Sequence, residues 1–171
     1  ERKVSISRAK IAVDFPASFM LIASMNPCPC GYYNHPTKEC VCDAATVRRY
    51  LNKVSGPLLD RIDLHVEVTP VSFDEMTARR PTEKSTDIRA RVVQARAIQQ
   101  QRFQVSKDIH ANALMPSAMV KKVCVISQAG KNLLKAATNK LGLSARAYDR
   151  ILKMSRTIAD LAGTEAIQEE H

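Results

Sequence analysis

The sequence predicts an α/β half followed by an all-helical bundle. Two apolar or alternating runs of strand length, at residues 19–23 and 62–68, indicate the α/β half. From residue 86 onward the apolar side chains recur at helical spacing, which indicates the bundle. A chain of 171 residues has room for one compact domain, or for a small domain with a helical appendage.

The first predicted elements are short strands. Between Lys3 and Val13 apolar and polar residues alternate, which predicts a strand or a hairpin. Phe19–Ala23 is continuously apolar, as in a strand that is covered on both faces in an α/β sheet. This strand is expected to end at Asn26 and Pro27, because proline prevents further pairing.

A short helix and a further strand complete the first half. Asp43 is expected to cap a helix that runs through Val47 to Asn52, and Ser55-Gly56-Pro57 is expected to end it. Ile62–Val68 alternates strictly between apolar and polar residues, which predicts a strand with one wet face. Beyond Pro70 the pattern becomes helical, so the boundary is expected near residues 71–82.

The second half is predicted to contain four helices. They are marked, in order, by Thr86–Phe103, by the opening residues Pro116-Ser117, by Lys131–Leu141 and by the cap residue Ser144.

Charge is spread unevenly along the chain, whose formal net charge is +9. Residues 1–78 hold nine basic and nine acidic residues, residues 79–156 hold seventeen basic and four acidic residues, and residues 157–171 hold four acidic residues and no Lys or Arg. A basic region attracts polyanions, chiefly nucleic acid or nucleotide phosphates, although a solvated helical face is an equal alternative. The longest apolar stretch, Phe19 to Met25, is too short for a membrane helix.

Four cysteines form two C-x-C pairs: Cys28 and Cys30, then Cys40 and Cys42. Without a secretory signal, clustered thiols favour a metal over disulfides and indicate a cytoplasmic protein. Four thiolates close a tetrahedral structural zinc site and leave no open position for catalysis.

His35 is a candidate substitute ligand in this loop, and a set of reduced free thiols is the alternative to a metal site. Cys124 lies apart from the four, in an apolar run, and is predicted to be a core residue.

Three polar residues are candidates for phosphate chemistry. Asn26 follows a predicted buried strand, where α/β sheets bind ligands, or it merely forms a turn before Pro27. Arg61 follows two leucines and could stabilise charge on a phosphoryl group, or it pairs with a neighbouring aspartate. Arg146 lies in the first turn of the helix capped by Ser144, where a cation opposes the helix dipole unless an anion binds there.

Two further basic residues and one Gly-Lys pair are relevant to a nucleotide site. Arg150 and Lys153 continue the line of Arg146 and are expected to be solvated. The pair Gly130-Lys131 lacks the other residues of a phosphate-binding loop. A complete nucleotide site therefore cannot be built from this sequence.

Two short motifs are highly specific: Asn26-Pro27-Cys28-Pro29-Cys30-Gly31 and Leu58-Leu59-Asp60-Arg61. With the stretches 4–9, 15–19, 143–148 and 156–161, they resemble the magnesium-chelatase-like AAA+ ATPases, in the competence-associated branch called ComM or YifB. The resemblance covers essentially the whole chain. It implies that residues 1–72, with the cysteine-rich loop 28–42, are the C-terminal part of an AAA+ ATPase core, and that residues 73–171 are a helical lid.

The resemblance also implies roles for individual residues. Asn26 is similar to the sensor-1 residue, Arg61 to the arginine finger that reaches a neighbouring subunit's ATP, and Arg146 to the sensor-2 residue of the lid. Arg8 and Lys10 lie in a segment similar to the hairpin that faces the central pore in related DNA motors. The family's Walker A and Walker B segments are expected upstream of Glu1, so ATP, Mg²⁺ and hexamer formation are expected of a longer parent protein, and this piece alone is expected to be inactive.

The expected function is thus that of a ring-forming AAA+ ATPase that couples ATP hydrolysis to movement on DNA, as in branch migration. One alternative is a chelatase-type ATPase subunit that drives metal insertion into a porphyrin, although the cysteine loop separates this branch from true chelatase subunits. The other alternative is a non-catalytic, zinc-stabilised nucleic-acid-binding module.

Overall fold

The computed structural model describes residues 3–8, 11–77 and 82–171. The chain divides into two compact units, Glu1–Leu59 and Asp60–His171. The first unit contains β1 (Lys3–Arg8), β2 (Ile11–Pro16), α1 (Ala44–Leu51) and α2 (Gly56–Leu59). The second contains α3 (Phe73–Thr77), α4 (Ser85–Arg102), a 3₁₀ turn (Asn112–Leu114), α5 (Ser117–Val123), α6 (Gln128–Leu141) and α7 (Ala145–Leu161). Among the described residues, no helix has the length and apolar character needed to span a membrane.

The predicted N-terminal hairpin is confirmed. Strands β1 and β2 pair antiparallel, from Lys3 opposite Pro16 to Arg8 opposite Ile11. The Ser5 hydroxyl donates to Asp14 Oδ1 across the pair at 2.6 Å. Lys10, predicted to accompany Arg8, lies outside the described residues.

The two strands predicted at Phe19–Ala23 and Ile62–Val68 are wrong. Both segments are irregular, and their apolar side chains other than the half-buried Ile62 are exposed, with Met20 83% and Val68 86% exposed. An extended segment becomes a strand only when a neighbour accepts and donates its backbone hydrogen bonds. In the described part of the chain the sheet consists of β1 and β2 alone, so the parallel-sheet strands expected for an AAA+ core are absent there.

Helix α1 forms where the sequence predicts it. Asp43 has extended backbone angles, and its carboxylate accepts a hydrogen bond from the Thr46 amide at 2.6 Å. Val47 is the buried residue of the helix, and Asn52 is its C-cap. The Ser55-Gly56-Pro57 segment, predicted only to end α1, also begins the short helix α2.

The predicted helices of the second half are confirmed as α4, α5, α6 and α7. Ser144 caps α7 as predicted, because its hydroxyl accepts from the Ala147 amide at 3.1 Å. Helix α6 ends at Gly142, whose φ of 62° is the left-handed conformation that glycine adopts without a Cβ clash.

A single apolar core holds these helices together. Its buried members come from α5, α7 and the segments around them: Phe103, Met115, Val120, Cys124, Leu152, Ala159 and Ile167. Cys124 is 4% exposed, which confirms it as a core residue. Ile126 and Ile167 form a parallel bridge that holds the C-terminal segment beside the start of α6.

A buried polar cluster, centred on Asp160, joins α4, the 3₁₀ turn and α7. Arg102 donates to both carboxylate oxygens of Asp160, at 2.5 and 2.7 Å. Asn112 donates to Asp160 at 2.7 Å, and Arg156 Nε donates to it at 3.1 Å. Among the described residues, every buried side-chain nitrogen and oxygen has a hydrogen-bond partner.

Candidate functional site

The four predicted metal ligands lie together. The sulfur atoms of Cys28, Cys30, Cys40 and Cys42 all fall within 4.8 Å of one another. The sulfur of Cys28 is 3.3 Å from that of Cys30 and 3.7 Å from that of Cys40, and the sulfurs of Cys30 and Cys40 are 3.6 Å apart. A tetrahedral zinc site with metal–sulfur bonds of roughly 2.3 Å places its sulfurs about 3.8 Å apart. The spacing and the donor set therefore fit a tetrahedral thiolate site.

Tight turns bring the ligands together. The Gly31 amide donates to the Cys28 carbonyl at 3.0 Å, and its φ of 84° requires a residue without a side chain. His35, the candidate substitute ligand, has a different role: its Nδ1 accepts from the amides of Thr37 and Lys38 at 3.2 and 3.0 Å. His35 thus shapes the loop between the two cysteine pairs, and the four-sulfur group does not include it.

The four thiols have unequal acidities. A backbone hydrogen bond from Tyr32 lowers the pKa of Cys30 to about 6, which favours the thiolate form of this sulfur. A backbone hydrogen bond from Cys42 lowers the pKa of Cys40, but burial and the neighbouring sulfurs outweigh it and raise that pKa to about 12. A divalent cation bound among these atoms favours the thiolate form of all four.

The second candidate site is a basic cleft at the beginning of α7. Arg146, Arg150 and Lys153 line it with Ser117, Ala145 and Asp149, around a volume of about 370 Å³. The Asp149 carboxylate accepts from the Ser117 hydroxyl, which ties the start of α5 to α7. The exposed Arg146 guanidinium thus lies at the positive end of a 17-residue helix.

Arg150 and Lys153 are not simply solvated, so that prediction is wrong. Arg150 is 25% exposed, donates to the Asp60 carbonyl, and lies 3.6 and 3.7 Å from the carboxylates of Asp60 and Asp63. Lys153 donates to the Ala113 carbonyl at 3.2 Å. The long side chains of Arg150 and Lys153 thus bind acceptors that are far away in the sequence.

The contacts of Arg150 connect the segments that carry Arg61 and Arg146, two of the three residues predicted to take part in phosphate chemistry. Arg61 lies between the two aspartates that contact Arg150, and Arg150 is one helical turn beyond Arg146. The segment that carries Arg61 is thus bound to the same helix as Arg146. Arg61 itself is exposed. Asn26 is exposed in the first unit, two residues before Cys28, and Arg8 is exposed as the last residue of β1.

Two groups of residues were not predicted from the sequence. The sequence predicted Asp60 and Asp63 only as alternative partners of Arg61, and the Asp160 cluster was not predicted. The four-residue spacing of Arg156 and Asp160 on α7 was the available signal for the cluster.

Comparison with known proteins adds family relationships. Residues 82–171 match the family described as magnesium chelatase, subunit ChlI C-terminal, and residues 1–76 match magnesium chelatase, subunit ChlI.

Individual relatives match along almost the whole chain. It is 41% identical over 171 residues to competence protein ComM of Haemophilus influenzae. It is 34% identical over 171 residues to uncharacterized protein YifB of both Escherichia coli and Salmonella typhimurium. Each alignment covers 99% of this chain but 32% of the relative, so the chain spans about a third of the length of these proteins.

Proposed function

Because the chain belongs to the magnesium chelatase ChlI family and matches competence protein ComM, we propose that it is part of a ring-forming AAA+ ATPase that moves on DNA. Residues 1–72 are the C-terminal part of the ATPase core in this proposal, and residues 73–171 are the lid. The observation that carries the proposal is the basic cleft, where Arg146 lies at the start of α7 and Arg150 binds the segment that contains Arg61.

Arg146 is proposed to contact the phosphates of bound ATP as the sensor-2 residue. A cation in the first turn of a helix opposes the helix dipole, at a cost of a few tenths of a kcal/mol. An anion bound at the same end reverses that interaction, because both the amide groups and the guanidinium then face negative charge. A phosphate ligand thus gives a physical reason for the position of Arg146.

Arg61 is proposed to act as the arginine finger of a neighbouring subunit's ATP, and Asn26 as the sensor-1 residue that orients the attacking water. A guanidinium suits the first role because it stabilises charge on the transferring phosphoryl group. In this proposal ATP and Mg²⁺ bind to the full-length protein, whose other segments supply the phosphate-binding loop, and the chain alone is inactive.

The four cysteines are proposed to hold a structural zinc ion. Their spacing supports a closed tetrahedral site, and four sulfur ligands leave no position for a reactive water. The zinc supplies a fixed link between the two ends of the loop 28–42. Arg8 and Lys10, in the hairpin, are proposed to contact DNA in the centre of the ring.

Substituting Arg61 tests the enzymatic proposal. In the full-length protein, Arg61→Ala should lower the ATP turnover rate by about 10³- to 10⁵-fold, because a finger acts on the transition state. The affinity for ATP should change little, since ground-state binding does not depend on it. Steady-state ATPase rates and nucleotide titrations measure the two quantities, and Arg89→Ala, at an exposed arginine on α4, is the matched control. Full ATPase activity in Arg61→Ala would contradict the finger role.

A second candidate function follows from the family description, which refers to a chelatase subunit. A chelatase-type motor would associate in an ATP-dependent way with a partner that inserts metal into a porphyrin, and it would be indifferent to DNA. A non-catalytic DNA-binding module would instead keep any ATPase activity of the full-length protein when Arg61 is replaced. Measuring DNA binding and ATPase activity together separates the three functions.

A further inference from the structure

The second unit contains a long segment without acidic residues. Between Asp108 and Asp149, residues 109–148 include no Asp or Glu. The segment has six Lys and Arg residues: Lys121, Lys122, Lys131, Lys135, Lys140 and Arg146. We call residues 109–148 the acid-free segment; its positive charge has no local compensation.

Lysine and arginine have different roles in this unit. The ion pairs among the described residues are all made by arginines, namely Arg91, Arg102, Arg150 and Arg156. In that same part of the chain, none of the five lysines of the acid-free segment lies within ion-pair distance of a carboxylate. These lysines therefore remain available to an external anion.

Helix α6 carries three of these lysines, and two of them, Lys131 and Lys135, share one side of the helix. Leu134 packs against the apolar core, and Ala137 and Thr138, on the same side, are half-buried. Five exposed polar residues lie along one flank of the helix, and we call them the α6 stripe: Gln128, Lys131, Asn132, Lys135 and Asn139. Gln128 Nε2 donates to Asn132 Oδ1 at 3.2 Å, and Lys131 and Lys135 are one turn apart, so the stripe is continuous along the helix.

We propose that the α6 stripe binds the phosphate backbone of nucleic acid, an inference that rests on the proposed movement on DNA. Lysine ammonium groups and Asn or Gln amides are the groups that contact phosphate oxygens and sugars in protein–DNA interfaces, and they carry no base specificity. The stripe would thus add a sequence-independent contact to the one proposed for the hairpin. An anionic membrane is a poorer fit, because a membrane-surface helix inserts a broad apolar face, whereas α6 exposes only two large apolar residues, Leu133 and Leu141, and packs Leu134 on the core.

The salt dependence of DNA binding tests this surface. The full-length protein, unchanged or carrying Lys131→Gln and Lys135→Gln together, is titrated with a fluorescent single-stranded DNA of mixed sequence between 50 and 200 mM salt. Each lost phosphate contact on a single strand lowers the slope of log affinity against log salt by about 0.7, so the double substitution should lower it by about 1.4. Lys84→Gln with Lys107→Gln removes the same charge from exposed positions of the same unit and is the matched control. Unchanged thermal melting shows that both variants fold.

The outcomes are distinct. A reduced slope in the stripe variant and an unchanged slope in the control support the proposal. Equal slopes in all three proteins overturn it while leaving the proposed movement on DNA intact. No salt-dependent binding by the unchanged protein overturns the proposed function itself, and with it the stripe. If the stripe substitutions abolish binding to vesicles of phosphatidylserine and phosphatidylcholine but leave DNA binding as it was, the surface serves a membrane and the proposal is wrong.

Discussion

Asp160 accepts four hydrogen bonds from Arg102, Asn112 and Arg156 in the interior of the second unit. Burial raises the pKa of this carboxyl, but the hydrogen bonds from Arg102 and Asn112 and the two nearby guanidinium charges outweigh it and lower the pKa below its usual value. One ionised side chain therefore joins three segments of the chain.

Asp160→Asn should destabilise the second unit by about 3–5 kcal/mol, because two guanidinium groups would then lie beside a neutral amide. Urea unfolding followed by circular dichroism measures the change. Asp108→Asn, at an exposed loop position, removes the same charge and should change stability by less than about 0.5 kcal/mol. Equal effects of the two substitutions would show that the buried pairing contributes little.

Sequence reasoning found single residues where the signal is local. The cysteine pairs, the cap residue Ser144 and the first-turn Arg146 depend on spacings of a few residues. The distant partners of Arg150 and Asp160 could not be predicted, because Asp60 precedes Arg150 by 90 positions and Arg102 precedes Asp160 by 58. Only tertiary packing selects such pairs from the many charged residues of the chain.

At the level of elements, the distinction between local and distant partners also separates helices from strands. A helix satisfies its backbone within itself, so capping residues and apolar spacing were sufficient to predict α4 to α7. The hairpin was also predictable because its two strands adjoin in sequence. The apolar run at residues 19–23 indicated a strand, but a strand needs a neighbour, and the described residues provide none.

The loop 28–42 leads directly into α1, so a metal bound by its cysteines should support that helix. Cys42 is followed by the cap residue Asp43. Protein purified without chelator should contain about one zinc ion per chain, and chelation or Cys40→Ser should speed hydrogen exchange in residues 28–51. Metal analysis and exchange mass spectrometry measure these effects.

Cys124→Ala is the control for the metal site, because it removes a buried thiol of the core. It should lower stability without changing the zinc content. Less than half an equivalent of zinc in the unchanged protein would exclude the metal site.

For the whole molecule, two buried groups predict the range of pH over which the fold is stable. The lowered pKa of Asp160 means that its stabilisation is complete above the usual value of 3.8 and is lost as the pH falls through the lower folded value. Burial raises the pKa of Cys124, so its contribution is complete below the usual value of 9.0 and is lost as the pH rises through the higher folded value.

The contribution of these two groups to the free energy of unfolding should therefore be nearly constant between about pH 4 and 9 and decrease outside that range, by at most about 1.4 kcal/mol per pH unit for each group. Urea unfolding over a pH series measures the profile in the metal-loaded protein. Cys124→Ala should remove most of the alkaline decrease. A decrease that persists unchanged in this variant would assign the alkaline effect to other groups.

The distribution of charge along the whole chain could be predicted by counting residues, but the partners of the charged residues could not. The sequence locates the excess of Lys and Arg in residues 79–156. Only the structure shows which arginines bind carboxylates that are distant in the sequence and that the lysines of the α6 stripe form no ion pair among the described residues.

The polypeptide after α7 is bound to the helix that precedes it, because the Arg156 guanidinium donates to the carbonyls of Glu165 and Thr164 at 2.5 and 2.6 Å. Ending the protein at Gly163, a natural choice for crystallisation, would delete both acceptors. The guanidinium of Arg156, a residue that is 3% exposed, would then be left without these hydrogen-bond partners. Shortened versions should thus retain the segment through Ile167, and purification tags are better fused beyond it.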